Sequence, residues 1–511
     1  MACNKNLGPE VIERERYIKM AMSEHLLDNT TYKKISPAEA EKTATAIKKR
    51  IKGWIRKHLK QLNPTEKKFL RHHLQENTEP WCTFYLLMKV HKTPLRTRPI
   101  VSTSGSLLQP MGIWVDSKLQ TVARSMPAFI NSSLELKTKL FRSPLPDGCA
   151  LFTADAQSMY TNIDTEKALP LIATYLCNNK ERFPEVPTEA LIQALEIIMR
   201  NNIFTFGDTW WHQVSGTAMG TPPAPPYATV FFGIYEEAIM EEFQHQLVEY
   251  VRFIDDIFGI WRIDEDNEID SQQWNEFQSA LNAESGLTWD ISDRNQQVNF
   301  MDLTITIRPD NTIHTTLFEK AQNLYLYIPP HSAHPTGVLT GIVLGGIHRI
   351  YSLCSDKADI KTHLEKFYNR LCIRGYKRST LEPIFSKGIS TQANNTIQDT
   401  LPLSNLERNR VFLHLPYNPG NPSSSVLQHI WHSTIAKPRG RRRLEECKNK
   451  DDVPMELNRM TVAYSRCLNI GNLLSYRKLP DSGPPASSYW LEATCGPSHT
   501  HAEDQELQLE Q

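Results

Sequence analysis

The stretch YVRFIDDIFGIW, Tyr250 to Trp261, constrains this chain more than any other. Its β-branched and aromatic residues favour a strand, yet two adjacent aspartates, Asp255 and Asp256, interrupt it. Burying a carboxylate pair among Phe, Ile and Trp costs several kcal/mol unless something offsets the charge. CALFTADAQSMYTNI (149–163) poses the same problem: an apolar strand ends on Asp155, and Tyr160 follows five residues later. If the two strands are sheet neighbours, Asp155 and the Asp255–Asp256 pair converge at one edge, where like charges raise one another's pKa. Two Mg²⁺ ions, or Mn²⁺ in their place, would resolve that conflict with oxygen ligands. Two metals about 3.5–4 Å apart also clamp the attacking and leaving oxygens in phosphoryl transfer.

An Asp-Asp dipeptide alone is a weak signal, since a turn or a structural pair uses the same residues. A second one, Asp451–Asp452, sits in a polar segment and reads as a solvated loop. Three segments shift the balance for the first. YLLMKVHKTPLRTRPIVS (85–102) sets Lys89, Lys92 and Arg98 on a strand–loop–strand pattern. A cationic hairpin over a dimetal site is what a triphosphate requires, although an ordinary basic hairpin has the same pattern. In QVSGTAMGTPPAPPYATVFF (213–232), Gly216 and Gly220 allow close backbone approach and the prolines open a helix over 227–242. A nucleotide base and template could lie there; a plain strand-to-helix turn is the alternative. The segment from Thr315 to Ser355 joins a strand bearing Lys320 to a Tyr-rich turn with Tyr325, then to a Gly-hinged helical stretch carrying Arg349. Aromatics beside basic residues grip a nucleic-acid strand, or else build a core and turn.

Charge and organisation bound the remaining choices. The 57 basic and 57 acidic residues cancel, but the basic ones cluster at 48–74 and in KPRGRRR (437–443). The nine cysteines form no CxxC pair, which argues for a reducing compartment and against a zinc cluster or disulfide framework. Neither a membrane span nor an apolar signal region stands out, so a nuclear or cytoplasmic chain with no membrane partner is expected. Residues 9–79 read as helices, with Ser36 an N-cap signal; from Trp81 short apolar strands alternate with helices such as 164–177 and 188–201. That mixture fits an α+β domain with a helix-backed antiparallel sheet. Helix returns over 336–390, 416–425 is a turn or linker, and the sequence after about 480 reads as disordered.

Taken in order, these segments resemble the reverse transcriptase family, and most closely its Penelope-like retroelement branch in the form without a GIY-YIG endonuclease. LMKVHK…RPIVS is similar to that branch's fingers motif, LFTADAQSMYTNI to the first palm motif and GTAMGTPPAPPYA to the glycine-rich one. RFIDDIF matches the double-aspartate motif, with Phe253 where many relatives carry Tyr; VNFMDLTITI and LFEKAQNLYLYIPPHSAHP match the approach to the thumb. The resemblance spans about 81 to 479.

The resemblance implies an α+β right-hand polymerase. Its parts would be a helical, basic N-terminal extension acting as an RNA-binding appendage (1–80), fingers and palm (81–330), helical thumb (331–400), C-terminal helical extension (401–480) and disordered tail (481–511). It implies catalytic metal ligands at Asp155 and Asp255, with Asp256 a ligand or close neighbour. Lys89 and Arg98 would hold the triphosphate, with Lys92 a substitute for Lys89. Tyr160 would be the steric gate against a ribose 2′-OH, Gln213 and Gly220 would shape the nucleotide pocket, and Asp302 would be structural. Lys320, Tyr325 and Arg349 would touch nucleic acid. An RNA template, a DNA primer and dNTPs would be the partners. The sparse Cys495, His499 and His501 do not make the cysteine-rich finger of longer relatives, so no DNA-nicking activity is expected. The competing expectation is an inactive RNA-binding or assembly protein that keeps the fold.

Overall fold

The computed structural model describes residues 12–76, 80–90, 93–142, 144–283, 285–321, 323–335, 337–395, 410–435 and 456–465. Lys92, the 437–443 arginine cluster, Asp451–Asp452, the Cys495/His499/His501 trio and the tail from 481 lie outside the described residues. In chain order the strands are β1 (Tyr32–Ile35), β2 (Cys82–Lys89), β3 (Arg96–Ser102), β4 (Cys149–Ala156), β5 (Ile203–Phe206), β6 (Thr209–Gln213) and β7 (Leu247–Phe253). They continue with β8 (Asp256–Arg262), β9 (Trp289–Ile291), β10 (Gln297–Phe300), β11 (Leu303–Ile307), β12 (Ile313–Leu317), β13 (Arg410–Pro416) and β14 (Glu456–Ser465).

The central antiparallel sheet has the order β7-β8-β4-β9. Both of its faces are covered, which is why its strands read as nearly unbroken apolar runs. On one face Phe152 and Trp261 pack on Trp274 and Phe277 of the helix Asn267–Ala283, with ring centroids 5.0–5.4 Å apart. On the other, Leu151, Val251, Phe258 and Ile260 bury against Phe300, Leu303 and Ile305 of the sheet β10-β11-β12. Gly259 is required by this packing, because a Cβ there would lie 2.2 Å from the Phe152 ring.

A second sheet, β1-β6-β5-β2-β3, carries the fingers hairpin β2–β3, in which Lys89 pairs with Arg96 and Leu87 with Arg98. Beyond the strands, the helices Val338–Leu353, Lys357–Ile373 and Arg378–Asn395 close on their own core of Val343, Ile347, Phe367, Leu371, Leu381 and Phe385. The α+β right-hand layout expected from the sequence is the layout observed: a palm sheet, a fingers sheet and a helical thumb.

Two expectations need correction. The N-terminal region is not an appendage. Its helix Pro37–Lys57, capped by Ser36 Oγ accepting from the Glu39 amide at 3.2 Å, carries an apolar stripe of Ala40, Ala44, Ile47, Ile51 and Trp54. An amphipathic helix must bury such a stripe, and Trp54 Nε1 donates to the Ala190 carbonyl at 2.9 Å within the main core. β1 pairs with β6 and so extends the fingers sheet. The C-terminal extension is not all helical either: β13 and β14 run parallel, with the helix Ser424–Ile430 between them. RVFLHLP and MTVAYS are rich in β-branched and aromatic residues and lack helical spacing, so pairing them satisfies their backbone better than a helix would. Among the described residues, no helix is long and apolar enough to cross a membrane.

Candidate active site

The register of the palm sheet assembles the site. Asp155, near the end of β4, lies opposite Asp256 on β8 and opposite Asp290 on β9. Asp255 occupies the two-residue turn between β7 and β8, and its carbonyl accepts from the Ala156 amide at 2.9 Å. The residue before it, Ile254, has φ +58°, a left-handed conformation that is costly for a β-branched side chain. The strands thus deliver four carboxylates to one end of the sheet.

Their electrostatics are unbalanced. Burial, then the Asp255 charge, push Asp155 above the usual carboxylate range; Asp290 adds to this, while Lys89 and a hydrogen bond from Asp256 oppose it. Burial, then Asp255 and Asp155, push Asp256 up to about 7, and Lys320 counters only part of the shift. Raised carboxyls of this kind report negative charge without enough cation around it. The donors are all oxygens, the set that hard divalent ions such as Mg²⁺ prefer, so these residues fit such an ion. Asp290 escaped the sequence reading; its signal is the apolar–acidic–apolar run Trp289-Asp290-Ile291, the same texture that exposed Asp155.

Two cavities flank the carboxylates. One of about 550 Å³ is lined by Asp155, Asp255, Lys89, Arg98, Tyr160 and Met219, and also by Glu24 and His25 from the N-terminal segment. The other, about 380 Å³, is lined by Asp155, Asp256, Asp290 and Lys320. Lys89, Arg98 and Tyr160 are therefore brought together with Asp255, and Lys320 with Asp256. The Arg98 side chain makes no hydrogen bond or ion pair to another described residue. Tyr160 stays a neutral phenol: burial, then Asp255, raise it to about 12 against the opposing pull of Arg98. The N-terminal segment also braces the hairpin, for Glu24 Oε2 accepts from Thr97 Oγ1 at 2.7 Å and from its amide at 3.1 Å.

The glycine-rich segment works differently from expectation. Gly216 (φ +74°) and Gly220 (φ +111°) do sit at close approaches, but to the chain's own backbone. A Cβ at Gly216 would lie 2.7 Å from the Thr161 carbonyl oxygen, and one at Gly220 2.7 Å from that of Val101. The Thr217 amide donates to the Tyr160 carbonyl at 2.5 Å and the Val101 amide to the Met219 carbonyl at 2.7 Å. The segment thereby ties the Tyr160 turn to β3. Its helix, Ala224–Glu242, starts before the expected 227.

Three further residues stand apart from the carboxylates. Gln213 is buried on β6 opposite Tyr32, donating from Nε2 to the Ser215 carbonyl at 3.1 Å, and lines neither cavity. Tyr325 lies under the Arg370 guanidinium, 3.5 Å from its ring centroid. Arg349 pairs with Asp302 at 2.8 Å, both more than half exposed, and the Asp302 carbonyl also accepts from the Phe318 amide.

Comparison with known proteins places these features beside the following. The family model described as the animal helix-turn-helix domain matches residues 326–386, across the thumb. No curated protein matches the chain. Among solved structures, telomerase from Candida albicans with a fragment of telomeric RNA is 11% identical, with a TM-score of 0.44 over 68% of this chain and 62% of that one. Apo telomerase from Candida tropicalis is 9% identical, with a TM-score of 0.38 over 62% of each chain. The BmCPV RNA-dependent RNA polymerase at its elongation state is 12% identical, with a TM-score of 0.40 over 71% of this chain and 31% of that one. The chain thus spans less than two thirds of the length of each of these structures.

Proposed function

We propose that this chain is an RNA-directed DNA polymerase similar to the Penelope-like reverse transcriptases, extending a DNA primer 3′-OH with dNTPs on an RNA template. One observation carries the reading: Asp155, Asp255 and Asp256 crowd at the end of the palm sheet, short of positive charge, beside a cavity bounded by Lys89 and Arg98. Its volume, about 550 Å³, is within the range of small-molecule sites.

Lys89 and Arg98 would neutralise the triphosphate from the fingers side. Tyr160, neutral and lining the same cavity as Asp255 and Arg98, would present its ring edge to the sugar and clash with a 2′-OH. Lys320 would draw the primer backbone toward Asp256. Asp155, Asp255 and Asp256 would hold Mg²⁺, which when bound supplies charge stabilisation to the transferring phosphoryl group and acidifies the attacking hydroxyl. Side chains are asked for positioning and charge rather than covalent work.

The test is extension of a DNA primer on an RNA template with dNTPs and Mg²⁺. Asp255→Ala should slow it by at least about 10²–10³-fold while the protein stays folded. Wild type that extends no better than Asp255→Ala would sink the reading, and tight RNA binding by that inactive protein would favour a binding role. Tyr160→Ala should raise rNTP use relative to dNTP; unchanged sugar selectivity removes the tyrosine from the gate.

A further inference from the structure

Below the double-aspartate turn lies a charged pair that nothing in the proposed chemistry touches. Arg252 and Glu236 are each 1% exposed and form a two-point ion pair, Nε to Oε1 at 2.6 Å and Nη2 to Oε2 at 2.7 Å. The Tyr250 hydroxyl donates to Glu236 Oε1 at 2.9 Å, and the Phe232 ring lies 5.2 Å from the guanidinium. Burying such a pair is a poor way to gain stability, since apolar residues of the same volume often do as well. Its remaining bonds show what else it does. Nη2 donates to the Thr229 carbonyl at 2.9 Å, within the helix Ala224–Glu242, and Nη1 donates to the Ile254 carbonyl at 2.8 Å.

The Ile254 carbonyl belongs to the peptide that precedes the Asp255 Cα. The peptide that follows it is held too, because the Asp255 carbonyl accepts from the Ala156 amide. With both flanking peptides hydrogen-bonded, φ and ψ of Asp255 are restrained, and with them the direction in which its side chain leaves the backbone. The anchor is needed because Ile254 sits at φ +58°, a conformation that persists only when its surroundings over-determine it.

We infer that Arg252, locked by Glu236, is a positioning residue that holds the Ile254–Asp255 peptide and so aims the Asp255 carboxylate at the metal and nucleotide site. This rests on the polymerase reading for its purpose but not for its geometry. A lysine at 252 keeps a charge for Glu236, but its single nitrogen cannot span the carboxylate and both carbonyls as the guanidinium fork does.

Two full-length variants test it: Arg252→Lys, and Arg252→Met with Glu236→Leu, which replaces the pair by apolar volume. Thermal melts first establish which of them fold. In folded variants kcat for primer extension should fall about tenfold or more with dNTP KM nearly unchanged. Mn²⁺ binding to the otherwise metal-free protein, read by electron paramagnetic resonance, should weaken by roughly tenfold. A folded variant whose Mn²⁺ affinity stays within about twofold of wild type overturns the inference, whatever its activity. A wild type that extends no primer removes the polymerase reading alone, and the Mn²⁺ comparison then decides this inference by itself.

Discussion

At the end of the palm sheet Asp155, Asp255, Asp256 and Asp290 crowd together, moderated among the described residues by Lys89 and Lys320, with Arg98 across the cavity. At the thumb junction Glu319, Asp302 and Asp356 each face a guanidinium, from Arg370, Arg349 and Arg308 respectively. Glu319 and Asp256 show the consequence. Burial works to raise Glu319, but Arg370, with His363 and Lys366, holds it below the usual carboxylate range, whereas Asp256 is driven to about 7. Even His314, Asp356 and Asp359, close enough together to suggest a metal site, include an aspartate already committed to Arg308. Charge compensation is thus direct at the thumb junction and only partial at one end of the palm. In the proposed function, divalent cations from solution supply the compensation this cluster lacks.

The comparison can be broken most severely inside the palm itself, where the fully compensated Glu236 lies beneath the uncompensated turn. Glu236→Ala leaves a buried guanidinium unpaired and should cost about 3–5 kcal/mol, lowering the melting temperature or preventing folding. Asp255→Ala removes a repelled charge and should leave the melt unchanged or raised. Equal losses in the two variants would erase the distinction.

The second way is pH. Asp256 and Asp155 have folded pKa values above the unfolded ones, so the folded state retains protons that the unfolded chain releases. Their stabilising contribution is complete below about pH 4 and is lost as pH rises through about 7 for Asp256. Metal-free protein should therefore lose melting temperature between these limits more steeply than Asp256→Asn. Parallel curves for the two would show that the crowding is not felt.

The mildest test lies at the surface. Arg349 and Asp302 are both more than half exposed, so Arg349→Ala should change stability by no more than about 1 kcal/mol. A larger loss would mean that compensation at the thumb is structural in a way this exposed geometry does not explain.

How much of this could be read from residues alone follows the range of the signals. YVRFIDDIFGIW and CALFTAD announced strands because burial on both faces demands continuous apolar character, and their aspartates stood out against it. Register then did what sequence cannot, placing Asp155 opposite Asp256 and adding Asp290 from a three-residue strand too short to notice. β1 was hidden for the same reason, as YKKI has four residues and two of them are lysines. Gly216 and Gly220 advertised close approach but not to what, and the partners are Thr161 and Val101, each more than fifty residues away in sequence. Arg252 looked like any strand residue until Glu236, from the helix before it, was seen to meet its side chain.

The central claim, that the palm carboxylates lack compensation because divalent ions complete them, is tested most directly by calorimetric titration of the metal-free full-length protein with Mg²⁺ and Mn²⁺. Wild type and the double variant Asp155→Asn/Asp255→Asn should be compared at neutral pH. Saturable binding in wild type that disappears from the folded double variant is the predicted result. Binding that is absent from wild type, or equal in both proteins, would contradict it.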